Sequence, residues 1–387
     1  MQGPLRATLS DFDSLIELVD ICFSGDKDRG GMLARWPHCY MERPEKLRNS
    51  LIMKEGDQVV SHVGYADQTL LVEGGQLKVA GITGVATRPE YRRQGLMTRL
   101  LDHCIRLMEE EGYVLSDLGG DTQRYRKFGW ENGGRRWSFH LTPRSVGACD
   151  PPTGWKVAKY EGSPEEIEFV KAIHEREPMR VERTDELYRL LLGRKGWQGW
   201  LAEGPDDARA YMVVQADDPK HLRAVEVGGD GVGVHGLADY LVREGGAESL
   251  GIGLPWRHPL NGTLFKLSTG WGVQTPRMFR INDLAGTLRG FLPQLRSRYE
   301  QLGTKDERTV SLAMSGTDQK VRLVFSKDDV TLETDHGRDA LALDRFQMVR
   351  FLFGPGVPGT EFDLPSEARF LDLLLPLGFY LWALETV

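Results

Sequence analysis

Val85-Ala86-Thr87-Arg88-Pro89-Glu90-Tyr91-Arg92-Arg93-Gln94-Gly95-Leu96-Met97 is the stretch from which the fold is read. Upstream, Leu77 to Arg88 has the small and β-branched residues of a strand. Downstream, Leu96, Leu100, Leu101, Cys104, Leu107 and Met108 recur at helical spacing and predict a helix over about Gly95 to Glu111. A strand that turns sharply into a helix leaves the first helical N–H groups without intrahelical partners, and the glycine permits the turn. Such a turn can cradle a diphosphate, to which Arg92 and Arg93 add charge-assisted donors. Taken alone, Arg-x-x-Gly reads equally as a surface turn with solvated arginines, so its surroundings decide.

Working outward, Gln58 to Asp67 is a second strand, separated from the first by the turn signal Glu73-Gly74-Gly75, and Tyr113 to Leu118 completes a β-turn-α-β unit. Ahead of these, Leu5 to Leu9 reads as a strand. It is followed by a helix capped by Ser10 with Asp13, burying Phe12, Leu15, Ile16, Val19 and Phe23. Trp137 to Leu141 reads as a further strand, and the Pro- and Gly-rich Pro143 to Gly154 marks a boundary. A second series repeats this order: strand Trp155 to Tyr160, a helix capped by Ser163-Pro164-Glu165-Glu166, a helix at Asp185 to Leu192, strands at Gly199 to Ala202, Arg209 to Gln215 and Leu222 to Val227, a helix from about Val232 to Arg243, and strand Ser249 to Leu254. From about Phe279 the pattern changes to a helix, Leu284 to Tyr299, then alternating strands at Val321 to Phe325 and Val330 to Leu332, then helices at Leu343 to Phe353 and Pro365 to Leu375. The expected class is α/β (α+β), with domains over 1–150, 151–278 and 279–387.

The 387 residues, 27% charged and 9% aromatic, exclude a disordered or collagen-like chain. No apolar run reaches the roughly 18 to 20 residues of a membrane helix: Phe370 to Leu384 is cut by Asp372, Pro376 and Gly378. The start of the chain has no basic segment followed by a continuous apolar one, so a cytoplasmic protein is expected. A net charge of −7 disfavours nucleic acid and anionic membrane as partners. Cys22, Cys39, Cys104 and Cys149 form no CxxC pair and read as reduced thiols, and the nine histidines, His62, His103 and His140 among them, show no ligand spacing, so no metal is expected. Gly231-Val232-Gly233-Val234-His235-Gly236 has the form of a dinucleotide fingerprint, but the next strand ends in Pro255-Trp256 where an acid should hold the ribose. It reads as a glycine-rich connection.

With Arg92 and Gly95 at its first two fixed positions, the quoted stretch resembles motif A of the GCN5-related N-acetyltransferases (Gln/Arg-x-x-Gly-x-Gly/Ala), with Met97 where a small residue is usual. The resemblance implies acetyl-CoA as co-substrate. The backbone of Val85, Ala86 and Thr87 would pair with the pantetheine arm. Arg92, Arg93, Gln94, Gly95, Leu96, Met97 and Thr98 would hold the pyrophosphate, with Gly120 and Asp121 beyond the next strand completing the site. Over nearly the whole chain the sequence resembles the enhanced intracellular survival (Eis) acetyltransferases, through Arg92 to Leu96, Gly119-Gly120 and Tyr125-Arg126-Lys127-Phe128-Gly129-Trp130. That resemblance implies two tandem acetyltransferase-like domains, the second degenerate and without a turn of its own for acetyl-CoA, and a sterol-carrier-protein-like third domain. It also implies a homo-oligomer, hexameric in the family.

Tyr125 stands where the family has its general acid, and a phenol of pKa about 10 is protonated at neutral pH and can supply a departing thiolate. The family's base is the C-terminal carboxylate, here that of Val387, although an aromatic terminal residue is common there. Asp26 and Trp36 read either as an acid beside an aromatic, suited to a cationic amine, or as a solvated loop acid and a core tryptophan. The implied activity is acetyl transfer to a primary amine of an aminoglycoside, a polyamine-like molecule or a lysine. The alternative is a lipid or acyl-CoA carrier using the third domain.

Overall fold

A computed structural model describes residues 1–23, 31–304, 306–334 and 340–386. The chain forms two compact units, Met1–Gly134 with Pro276–Leu377, and Arg135–Thr275 with Gly378–Thr386. The first opens with β1 (Gln2–Arg6), α1 (Phe12–Phe23), α2 (Gly31–Arg35), α3 (Pro44–Leu47), β2 (Ser50–Glu55), β3 (Gln58–Val72), β4 (Gly75–Thr87), α4 (Leu96–Glu110), β5 (Leu115–Leu118), α5 (Thr122–Tyr125) and β6 (Glu131–Gly133). The second contains β7 (Arg136–Leu141), α6 (Pro143–Val146), β8 (Lys156–Lys159), α7 (Pro164–His174), β9 (Met179–Val181), α8 (Asp185–Leu192), β10 (Trp197–Glu203), β11 (Arg209–Gln215), β12 (His221–Gly229), α9 (Gly231–Asp239), β13 (Ser249–Pro255), α10 (Asn261–Leu267) and β14 (Gly270–Gln274). The chain then returns to the first unit with β15 (Arg277–Ile281), α11 (Leu284–Gln301), β16 (Arg308–Met314), β17 (Lys320–Phe325), β18 (Val330–Thr334), β19 (Leu341–Leu343), α12 (Arg345–Phe353) and α13 (Leu371–Leu374).

The first unit's main sheet runs β1-β2-β3-β4-β5-β15-β6, the second unit's runs β14-β7-β13-β12-β11-β10-β8, and a smaller one runs β18-β17-β16-β19. The strand expected at Trp137 to Leu141 is thus β7, paired between β13 and β14 of the second sheet, while β15 enters the first sheet between β5 and β6. Alternation in the sequence reports that a strand has a buried face, not which edge it joins. The stretches 1–150, 151–278 and 279–387 are therefore not the compact units as they stand, because β7, β15 and the last residues change sides.

Local chemistry accounts for smaller differences. The first strand lies at Gln2–Arg6, and the turn before α1 is closed by Thr8, whose N–H donates to Asp11 Oδ2 at 2.9 Å, one step ahead of the expected Ser10 and Asp13. Both pairs have the same three-residue spacing, so sequence alone does not choose. Pro365 to Leu375 is not one helix but a short turn followed by α13, which stops at Leu374 because a residue preceding a proline, Leu375, is pushed out of the helical region.

Helix α4 buries Leu96, Leu100, Leu101, Cys104 and Met108 against Val63, Tyr65, Ala80 and Ile82 of the sheet. Each such aliphatic side chain contributes about 1.5–3 kcal/mol on burial, so this face pins the turn that precedes it. On the β3–β4 hairpin, α11 comes close because Gly290 and Gly75 meet: a Cβ on either would collide with backbone of the other element.

Candidate active site

The parallel pairing of β4 with β5 extends only from Val79↔Leu115 to Gly81↔Asp117, whereas β3 stays paired with β4 as far as Ser61↔Thr87. From Ile82 onward β4 therefore keeps one neighbour and opens its other edge. The Arg88 N–H donates to Val60 O at 2.9 Å and the Ala86 carbonyl accepts from Ser61 Oγ at 2.9 Å, both toward β3. By alternation the backbone groups of Val85 and Thr87 face the opened edge. The Thr87 carbonyl accepts from Arg92 Nε at 3.2 Å, tying the turn to the strand.

This edge borders a cavity of about 500 Å³ lined by Cys22, Phe23, Val85, Ala86, Thr87, Tyr91, Arg92, Arg93, Gly95, Leu96, Met97, Thr98 and Arg124. Gly95 precedes α4 with φ +74° and no side-chain cap, and Arg93 has φ +64°, so left-handed residues flank Gln94 and the first N–H groups of α4 are open to a ligand. A Cβ on Gly95 would meet nothing within 4 Å. Glycine is favoured here by the positive φ, not by crowding. Among the described residues no carboxylate pairs with Arg92 or Arg93, which are exposed. Cations, open N–H groups and an unpaired strand edge are the donor set that a diphosphate with an amide-bearing arm requires.

Of the predicted residues, Val85, Ala86, Thr87, Arg92, Arg93, Gly95, Leu96, Met97 and Thr98 line this one cavity. Gln94 lies in the turn without lining it, and Gly120 and Asp121 are also absent from the lining: the Asp121 carboxylate caps α5, accepting from the Gln123 N–H at 3.0 Å. Trp36 packs, half-buried, against the core around Phe12, Ile16 and Val19, and does not line the cavity. Asp26 and Val387 lie outside the described residues. The sequence reading missed Cys22, Phe23, Tyr91 and Arg124. Only Arg124 and Tyr91 had a signal there, as neighbours in the chain of residues already singled out.

Tyr125 is buried with Leu96, Leu100 and Leu118, its ring 3.2 Å from where a Cβ on Gly120 would sit. Burial pushes its pKa up, and the adjacent Arg124, which lines the cavity, pulls it part of the way back. The phenol therefore remains a proton donor at neutral pH.

The opening edge of β4 is shaped by a register shift between His62 and Gly64, opposite Gly84 at φ +59°. The buried His62 donates from Nδ1 to the Gly84 carbonyl at 2.7 Å, and burial lowers its pKa to about 4. It is a structural neutral imidazole. With an unfolded value near 6.5, the stability tied to neutral His62 is complete above pH 6.5 and is lost as pH falls from 6.5 toward 4, by about 3 kcal/mol in all. His62→Gln should flatten the decline of Tm across that window. An unchanged decline would assign the acid sensitivity to other groups.

In the second unit, Gly231 to Gly236 opens α9, but the first N–H groups, of Val232 and Gly233, are taken by the Asp230 carboxylate at 2.8 and 3.2 Å, and a Cβ on Gly233 would strike the Trp155 ring. Those glycines serve capping and packing. His174, Glu226 and Glu385 bring possible ligand atoms within 4.8 Å of one another, yet Arg183 donates to both carboxylates, to Glu385 at 2.8 Å and to Glu226 at 3.1 Å. This is a buried ion-pair network. No helix is long and apolar enough to cross a membrane among the described residues.

Residues 5–133 match the family of acetyltransferase (GNAT) domains. Among solved structures, the chain is similar to a probable N-acyltransferase of Enterococcus faecalis described as a conserved protein of unknown function (15% identity, 98% of each chain, TM-score 0.74). It is also similar to a GCN5-related N-acetyltransferase of Kribbella flavida (17%, 99% of this chain and 97% of that one, 0.71). Eis1 of Mycobacterium abscessus matches at 17% identity over 89% of this chain and 93% of that one, with a TM-score of 0.61. At these identities the likeness is one of fold. Among curated proteins none matches.

Proposed function

We infer, from a chain whose residues 5–133 are an acetyltransferase (GNAT) domain, that this enzyme carries an acetyl group from acetyl-CoA to a primary amine by direct attack. The observation that carries the reading is the β4 edge left unpaired beside the Arg92–Thr98 turn. The N–H groups at the start of α4, with Arg92 and Arg93, hold the pyrophosphate, while Val85 and Thr87 hold the pantetheine arm as a neighbouring strand would. When bound, acetyl-CoA supplies the thioester. Tyr125 donates its phenolic proton to the leaving sulfur. The acceptor must be neutral to attack, and the Val387 carboxylate removes its proton; Asp26 and Trp36 face the amine. Small polyamine-like molecules and lysine are the acceptor classes, and the Eis-like reading adds a sterol-carrier-like third domain, a ring of identical subunits and a cytoplasmic site of action.

Thiol release from acetyl-CoA with a panel of amines tests the reading: acceptor-dependent release supports it, and none with any amine class would sink it. A C-terminal tag, which displaces the Val387 carboxylate, should cost far more turnover than the same tag at the N-terminus, with Tm little changed in either. Equal activity of the two would make another group the base.

A further inference from the structure

The second unit holds a cavity of about 270 Å³, room for about nine waters, whose lining includes Arg136, Ser138, Arg223, Gly251, Gly253 and Tyr380. It lies where β12 and β13 part. Their parallel pairing runs from His221↔Ser249 to Ala224↔Ile252, while β12 continues to Gly229 and β13 to Pro255. The C-terminal segment closes one side, with the Tyr380 hydroxyl donating to the Gly253 carbonyl at 3.0 Å.

Register and the two-residue period put both arginines on one face of this sheet. Arg223 sits opposite Gly251, Gly251 opposite His140, and Ser138 opposite Gly253, with Arg136 two residues before Ser138. Between the arginines the floor is glycine and serine. A Cβ on Gly251 would come no nearer than 3.9 Å to its closest neighbour, the Leu222 carbonyl, and one on Gly253 would lie 3.6 Å from Arg136 Cδ, so packing alone does not demand glycine at either place. The missing side chains are what keep the cavity open.

The charges facing it are unbalanced. Arg136 donates to Gln274 Oε1 at 2.9 Å, a neutral acceptor, and its Nε is buried without a partner. Among the described residues neither Arg136 nor Arg223 forms an ion pair. The carboxylates in reach, Glu226 and Glu385, are already engaged by Arg183, and Glu226 also accepts from the Tyr211 hydroxyl at 2.8 Å. Burial, and then the like charge of Arg223, act to lower the Arg136 pKa. Two guanidiniums at one cavity repel, and a planar or tetrahedral oxyanion between them turns that repulsion into charge-assisted hydrogen bonds.

We propose that this cavity binds an oxyanion, the carboxylate or phosphate group of a small molecule, between Arg136 and Arg223, with Ser138 as a further donor. The proposal is independent of the acetyl-transfer reading, since it rests on second-unit residues alone. Calorimetric titration of the full chain with inorganic phosphate, and separately with acetate, tests it. One of the two should bind with a Kd of about 1 mM or tighter, and the tighter one identifies the source. Arg223→Gln, an exposed substitution, should weaken that binding at least about tenfold, as should Arg136→Gln. Gly251→Val, which fills the cavity without touching either charge, should do the same. Binding of neither anion, or binding unchanged in the three variants, overturns the proposal.

Discussion

Gly95→Trp should abolish acetyl-CoA binding, weakening it beyond about a hundredfold, while the protein stays folded. The Cβ at this position points into open space, so the indole would fill the cavity beside Arg92 and Thr98 without striking the protein. The backbone penalty is separate: a non-glycine residue at φ +74° costs on the order of 1–2 kcal/mol. Gly95→Asn shares that penalty but is small and tolerates the left-handed region, and it should retain cofactor affinity within about tenfold. Calorimetry on both, with circular dichroism as the check on folding, separates filling from strain. Full affinity in a folded tryptophan variant would place the cofactor elsewhere.

Tyr125→Phe should lower turnover by about 10² or more, close to 3 kcal/mol of barrier, with the apparent affinity for acetyl-CoA little changed. The substitution keeps the buried ring among Leu96, Leu100 and Leu118 and removes one hydroxyl. A merely structural tyrosine would show its loss in Tm and leave turnover within a factor of about three. Because burial holds this phenol above its ordinary pKa, the wild-type rate should not decline through loss of this proton anywhere in the neutral range.

The strand-turn-helix from Val85 to Met97 was legible in the chain because its signals are local. Proline and glycine fix dihedral angles, the apolar residues of α4 repeat with the helix period, and Arg92 and Gly95 lie a few residues apart along one turn. Nine of the predicted cofactor residues accordingly line one cavity. Trp36 misled, since an aromatic near a site in sequence is as often a core residue, and here it packs against the core beside α1.

What the sequence by itself determined is the turn and its chemistry: glycine at a positive φ, open N–H groups and two cations. Only the tertiary structure decided where β4 loses its partner, because parallel pairing is set by the register of strands far apart in the chain, and β4 and β5 hold together for three residues before they diverge. It likewise decided that β7 joins the second sheet and β15 the first, and that Arg136 and Arg223 share one cavity, because two residues 87 positions apart meet only when their strands share a sheet face.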